Sequence, residues 1–287
     1  MNEGRELART TPRLETFEIA GSSGRVIRGD ARLVEGATAS VVLVHGFKGF
    51  GRGNFMPFVA EELAAAGLTT IAFDFSGSGV GPDRETFTDF DAFEANSIGH
   101  ELYDLLRVMH MGEERGWLGQ HRGLWGHSRG GGVAVLHAAR DTRIGALATW
   151  SGIATVERWS VEDRETWRRQ GFLEVLNSRT KQTFRLGRAM LEEIEKHGRG
   201  RLDIERAASK IGCPWLIVHG DTDETVPMEE GERLRQASRE HAELLRVPGA
   251  SHTFNVGHGF TEPSPALRVA TDRTVRFFVE ALAPDPA

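Results

Sequence analysis

Short runs of apolar, often β-branched residues alternate along the chain with stretches whose apolar positions recur every three or four residues. Ser40–Val44, Thr69–Phe73, Gly123–Gly126, Ile144–Trp150, Trp215–Val218 and Leu244–Val247 are mainly apolar runs of strand length. Strands of this kind are covered on both faces, as in a parallel sheet. Between them, Phe55, Phe58, Val59 and Leu63 fall at helical spacing, with Gly67 placed to end that helix. Leu102, Leu105, Leu106 and Met109 predict one helix over Phe93–Met109, and further helices are expected up to Arg140, over Glu229–Glu240 and over Pro265–Leu282. Upstream, Thr16–Ala20 and Arg25–Val34 flank Gly21-Ser22-Ser23-Gly24 and predict a hairpin. The alternation implies an α/β protein with a doubly wound, mostly parallel sheet, expected to have eight strands.

The pattern breaks between Ile153 and Gly200. Val161–Arg169 and Leu186–His197 read as helices, while Phe172–Leu176 and Thr183–Leu186 flank Asn177-Ser178-Arg179-Thr180-Lys181, a candidate hairpin tip. This segment is expected to be a small cap inserted after the sixth strand of the main sheet, because it is too short to bury a core of its own. The organisation expected is a core over 15–152 and 201–283, a cap over 153–200 and a leader over 1–14.

Composition narrows the partners. The 287 residues carry 35 basic and 41 acidic side chains, a net charge of −6. That balance argues against nucleic acid or an anionic membrane as partner, since both demand concentrated positive charge. Nearly all the basic residues are Arg; the lysines are Lys48, Lys181, Lys196 and Lys210. No apolar run approaches the length of a membrane span, and the N-terminus lacks the apolar stretch of a signal peptide, so a cytoplasmic protein is expected. Cys213 is the single cysteine. It allows no intramolecular disulfide, makes a cysteine-based zinc site unexpected, and reads as a buried, inert thiol ahead of an apolar run. No metal or cofactor is expected.

Candidate chemistry lies in the turns that follow the strands. Gly126-His127-Ser128-Arg129-Gly130 matches Gly-x-Ser-x-Gly between a predicted strand and a predicted helix. A strand-to-helix turn that sharp strains its central residue and presents the Ser128 hydroxyl at the carboxyl end of the sheet. A serine hydroxyl needs a base, and the base needs an acid to orient it. His219-Gly220-Asp221-Thr222-Asp223-Glu224-Thr225-Val226-Pro227 offers two acids, Asp221 and Asp223. His252, after the last predicted strand, is the candidate base, with His258 as runner-up and His127 expected to pack or hydrogen-bond near the turn. Two backbone N–H groups should stabilise an oxyanion: that of Arg129, directly after the nucleophile, and that of Phe47 in His45-Gly46-Phe47-Lys48-Gly49-Phe50-Gly51. The glycines of that loop lack the Gly-Lys-Ser/Thr ending of a phosphate loop, which argues against nucleotide binding. Asp74 is expected to tie down the turn Asp74-Phe75-Ser76-Gly77-Ser78-Gly79.

Taken together and in this order, His45-Gly46-Phe47, the Asp74–Gly79 turn, Gly126–Gly130, His219–Pro227 and Ser251-His252 resemble the α/β-hydrolase superfamily over roughly Phe17 to Leu282. The resemblance is greatest to its dienelactone-hydrolase-like and cinnamoyl (feruloyl) esterase group. It implies the α/β-hydrolase fold, Asp223 as the acid (four residues after His219), and Phe47 as an oxyanion donor. Unlike true dienelactone hydrolases, the chain has Ser128 in place of a cysteine nucleophile. Its one tyrosine, Tyr103, lies outside the cap, where feruloyl esterases often use one. The expected function is hydrolysis of a small-molecule carboxylic ester with a short-chain or aryl acyl group. Amidase, peptidase, thioesterase and acyltransferase chemistry would use the same groups, and a non-catalytic ligand-binding protein on this fold is the reading from another class. Trp159, Trp167, Phe172 and Phe184 either line a substrate pocket or pack the cap against the sheet. The oligomeric state is not legible.

Overall fold

The computed structural model describes residues 10–257 and 259–284. The chain opens with β1 (Arg13–Ala20) and β2 (Val26–Leu33), an antiparallel pair. It continues through β3 (Ala39–Val44), α1 (Met56–Ala65), β4 (Thr69–Asp74), α2 (Phe90–Glu94), α3 (Ile98–Glu114), β5 (His121–His127), α4 (Arg129–Ala138) and β6 (Ile144–Trp150). The segment that follows holds α5 (Val161–Gln170), β7 (Phe172–Leu176), β8 (Thr183–Gly187), α6 (Arg188–His197) and α7 (Ile204–Ala208). The chain then returns through β9 (Trp215–Gly220), α8 (Met228–Ala237), β10 (Ala242–Val247) and α9 (Pro265–Ala281).

Eight strands form one sheet in the order β1-β2-β4-β3-β5-β6-β9-β10. From β4 to β10 every pairing is parallel, while β1 and β2 join antiparallel at one edge. This is the sheet the apolar runs predict. β3, β4 and β9 are buried along their whole length, with α1 and α9 over one face and α3, α4, α6, α7 and α8 over the other. The parallel strands place all their carboxyl ends at one edge of the sheet, where sites form in open α/β folds.

Local departures from the sequence reading have local causes. The single helix expected over Phe93–Met109 is two, α2 and α3. Ser97 breaks it by accepting the His100 N–H at 3.2 Å as an N-cap. β1 starts inside the expected leader because Arg13 and Leu14 pair with Leu33 and Arg32; residues 1–9 lie outside the described residues. Leu186, read both as the end of a strand and as the start of a helix, and Gly187, expected in that helix, close β8.

The segment after β6 leaves the sheet and forms the predicted hairpin, β7 against β8, between two helices. Its apolar side chains join the cluster beneath the main sheet, so it has no separate core. Trp167 is fully buried and donates from Nε1 to the Gly187 carbonyl at 3.2 Å. Phe184 is buried against Phe87, Phe90 and Phe93, with ring centroids 5.2, 5.4 and 4.5 Å apart. Cys213 is half-buried, and burial pushes its thiol up to about 11. Among the described residues no helix is long and apolar enough to cross a membrane.

Candidate active site

Ser128 sits between β5 and α4 with φ 56° and ψ −123°, a conformation that costs a non-glycine residue roughly 1–3 kcal/mol. Surrounding bonds impose it. The Ser128 N–H donates to the Trp150 carbonyl at 2.9 Å, and its carbonyl accepts from Gly131 and Ile153 at 3.0 and 3.2 Å. The helix that follows passes so close to β3 that a Cβ on Gly130 would stand 2.3 Å from the His45 carbonyl oxygen. The small residue after the serine is therefore a packing requirement.

Two further loops meet at this serine. His252, after β10, places Nε2 3.0 Å from Ser128 Oγ and Nδ1 2.8 Å from Asp223 Oδ2. Asp223, after β9, also accepts from the Thr225 and Val226 N–H groups at Oδ1, both at 2.9 Å. Burial alone would raise the Asp223 carboxyl, but its bond to His252 and the Val226 N–H hold it below its ordinary value. An ionised Asp223 can only accept, so Nδ1 of His252 carries the ring proton and Nε2 is left to take one from Ser128. Asp221, the other candidate acid, is exposed and accepts the Gly249 N–H at 2.7 Å. It ties two loops together away from the serine. His258 lies outside the described residues.

The loop after β3 brings Phe47 to the same place. A Cβ on Gly46 would be 2.9 Å from Ser128 Cβ, so the loop lies directly against that serine. The Phe47 N–H makes no hydrogen bond among the described residues, and the N–H of Arg129, at the first position of α4, has no acceptor within its helix. The side chains of these two residues also touch: the Arg129 guanidinium lies over the Phe47 ring at 4.4 Å.

Several further residues support this arrangement. His45 accepts the Phe75 N–H at Nε2 (3.0 Å) and so donates from Nδ1 to the Gly46 carbonyl (2.9 Å). Burial drives its pKa down to about 4, which keeps the ring neutral in this bridging role. Glu101, on the buried face of α3, pairs with the Arg129 guanidinium and accepts from Asn96 at 2.9 Å. Nothing local in the sequence marks Glu101, because its partner is distant in the chain. His127 donates from Nε2 to the His252 carbonyl at 3.0 Å, with the two rings 4.7 Å apart. Burial, with the His252 charge beside it, takes His127 down to about 3. Asp74 accepts from Gly51 and Arg84, both at 2.6 Å, and fastens the loops after β3 and β4 to each other.

Ser128 and His252 open into a cavity of about 1470 Å³, with Phe47, Phe50, Phe55, Phe58, Trp159 and Phe260 among its walls. Of the four aromatic residues considered for a substrate pocket, Trp159 alone lines this cavity. Trp167 and Phe184 are consumed by the packing of the segment after β6, and the Phe172 ring is covered by the Arg185 guanidinium at 4.3 Å. Among the described residues no cluster of His, Cys, Asp and Glu could hold a metal ion.

Comparison with known proteins agrees with this architecture. The model of the alpha/beta hydrolase family matches residues 41–271. An uncharacterized 31.7 kDa protein from the traX-finO intergenic region of Escherichia coli is 26% identical over 228 residues, 69% of this chain and 77% of that one. Serine hydrolase BPHL of Mus musculus is 25% identical over 263 residues, 84% of each chain. Among solved structures, Est1E from Butyrivibrio proteoclasticus with ferulic acid bound superimposes with a TM-score of 0.74 at 20% identity, covering 93% of this chain and 100% of that one.

Proposed function

We propose, on the premise that the chain belongs to the alpha/beta hydrolase family, that it is a serine hydrolase that cleaves carboxylic esters through an acyl-enzyme. The observation that carries this reading is the unbroken hydrogen-bonded chain from Ser128 through His252 to Asp223, at 3.0 and 2.8 Å, on a strained turn.

In the proposed reaction Ser128 Oγ attacks the ester carbonyl carbon while His252 Nε2 takes its proton. The Phe47 and Arg129 N–H groups receive the negative charge that develops on the carbonyl oxygen. The imidazolium that forms faces the Asp223 carboxylate and then protonates the departing alcohol. Water, deprotonated by His252, attacks the acyl-serine in the same way and releases the acid. The contact between Arg129 and Phe47 supports a fixed spacing between the two oxyanion donors, since neither residue can shift without disturbing the other.

The segment 153–200 acts in this reading as a cap that closes the cavity over the sheet edge. The aromatic walls of the cavity support a short-chain or aryl acyl group in this reading. Ser128→Ala should lower p-nitrophenyl ester hydrolysis by about 10³ or more, and turnover near that of the wild type contradicts the assignment. In a chain-length series of esters, a best rate at long lipid chains contradicts the proposed substrate class.

A further inference from the structure

Five cations line the cavity: Lys48, Arg52, Arg129, Arg158 and Arg179. Three of them have carboxylate partners. Arg52 pairs with Asp30, Arg129 with Glu101 and Arg158 with Glu230. Lys48 and Arg179 form no ion pair among the described residues, in a chain whose net charge is −6. Of the carboxylates on the same walls, Glu61 is taken by Arg32 at 2.8 Å, and Glu85 and Glu224 are exposed.

The two free cations come from opposite sides of the cavity and meet. Lys48, next to the Phe47 oxyanion donor, donates from Nζ to the Leu176 carbonyl at 2.9 Å. Arg179, at the tip of the β7–β8 hairpin, donates from Nη2 to the Lys48 carbonyl at 2.9 Å. Each uses one of its several donors on a neutral acceptor and keeps the rest. Asn177 adds a third donor. It lines the cavity and is 1% exposed, and its Oδ1 accepts the Arg179 N–H at 3.1 Å. That bond fixes the amide so that Nδ2, the donor end, has no partner among the described residues. A buried donor without an acceptor is costly unless something else completes it. Partial burial, and after it the Arg179 and Arg129 charges, holds the Lys48 ammonium below its ordinary value, which puts these cations within electrostatic reach of one another. Burial with the neighbouring His252, and more weakly Arg179, acts on His127, which puts that cation within electrostatic reach of the residue beside the nucleophile.

We infer that the substrate carries an anionic group, a carboxylate or a phosphate, away from its reactive carbonyl, and that Lys48, Arg179 and the Asn177 amide seat it. This names the substrate class of the site proposed above and rests on that reading. Two cations and one amide donor are suited to oxygen anions, which accept several charge-assisted hydrogen bonds at once. The anion also explains a chain that neutralises every other cavity cation and leaves these two.

The test compares matched esters: mono-4-nitrophenyl glutarate against 4-nitrophenyl pentanoate, 4-acetoxybenzoate against its methyl ester, and 4-acetoxyphenyl phosphate against phenyl acetate. The wild type should favour the anionic member of at least one pair by about tenfold or more in kcat/KM. The pair favoured tells whether the anion belongs to the acyl or the alcohol part, and whether it is carboxylate or phosphate. Arg179→Gln and Lys48→Gln should each reduce that ratio by about tenfold, whereas Arg179→Lys should retain part of it. A merely structural clasp between the hairpin and the Phe47 loop would move both members of a pair together and leave the ratio alone. Neutral esters turned over with no anionic preference, or a preference unmoved by both variants, overturns the inference. If no ester is turned over, the hydrolase reading fails instead, and calorimetric titration with glutarate and with phosphate decides: binding weakened about tenfold in Arg179→Gln upholds the site, and no binding to the wild type overturns it.

Discussion

On the sheet side of the cavity, Ser128, Phe47 and Asp223 sit in loops where the backbone has few alternatives; on the opposite side, Trp159, Asn177 and Arg179 sit on a loop and a hairpin tip that many sequences could build. The first wall is set by close approaches and buried hydrogen bonds. Gly130 meets the backbone after β3, Ser128 is held at positive φ, and Asp223 accepts two loop N–H groups before it reaches His252. The second wall is set by which side chains remain after the segment has packed itself down. Trp167 and Phe184 are used for packing, and Trp159 is left for the cavity. In the proposed function, chemistry is thus concentrated on the constrained wall, and selectivity falls mainly on the permissive one, with Lys48 reaching it from the sheet side.

Substitutions should separate the walls by what they damage. The largest effects belong to the sheet side: His252→Gln should lower kcat for ester hydrolysis by about 10⁴ or more, and Asp223→Asn by a smaller but still large factor of about 10² to 10⁴. Both variants should keep a circular dichroism spectrum and a melting temperature close to the wild type. Trp167→Ala, on the other wall, should do the reverse. It removes a fully buried ring and one hydrogen bond, and should cost about 3–5 kcal/mol of stability in urea unfolding. Whatever folded enzyme remains should retain its activity per molecule. If Trp167→Ala instead raised KM with stability unchanged, the division between packing and cavity residues would be wrong.

How legible each wall was follows from the same difference. Ser128, His252 and the loop of Phe47 could be found in the sequence because each lies directly after an apolar run and carries a short pattern imposed by backbone geometry. Asp221 and Asp223 could not be separated by position alone. They differ in three dimensions because Asp223 is buried under its own loop, whereas Asp221 is exposed and turned to Gly249. The roles of Trp159, Trp167, Phe172 and Phe184 were open for a related reason: an aromatic ring packs or lines a pocket according to what faces it, and periodicity does not carry that information. Glu101, His45 and the bond from His127 to the His252 carbonyl were invisible because their partners lie far along the chain. The middle of the main sheet was legible, since β3, β4 and β9 are buried along their whole length by position in the sheet; the start of the exposed edge strand β1 was not.

His45, which is buried, and His127, which is half-buried, give a smaller effect that sharpens the view of the constrained wall. His45 and His127 have folded pKa values of about 4 and about 3, against about 6.5 in an unfolded chain. Their folded values are depressed, so below about pH 6.5 the unfolded state binds more protons. The stability they confer is fully present above that pH and is lost as pH falls towards about 4 and about 3. Each can contribute a slope of up to about 1.4 kcal/mol per pH unit in that window. Urea unfolding between about pH 6.5 and about pH 4 should show this decline, and His127→Phe should flatten it by one histidine's share. An unchanged slope in that variant would mean that His127 is not held neutral by its burial.

The smallest expected effect is at Trp159. Its ring is half-buried, beside Trp167 and Phe47, so Trp159→Ala should raise KM for aryl esters by about tenfold or less, with kcat and melting temperature little changed. An equal loss for acetyl and aryl esters would remove it from the substrate-facing wall.

The account turns on Ser128 being a nucleophile activated by His252 and Asp223. Intact-mass analysis of the folded protein after incubation with a fluorophosphonate tests this most directly. The account predicts one adduct per chain, located on Ser128, absent in Ser128→Ala and formed at least about 100-fold more slowly in His252→Gln. Folded wild-type protein that takes up no adduct, or an adduct that persists in Ser128→Ala, would contradict it.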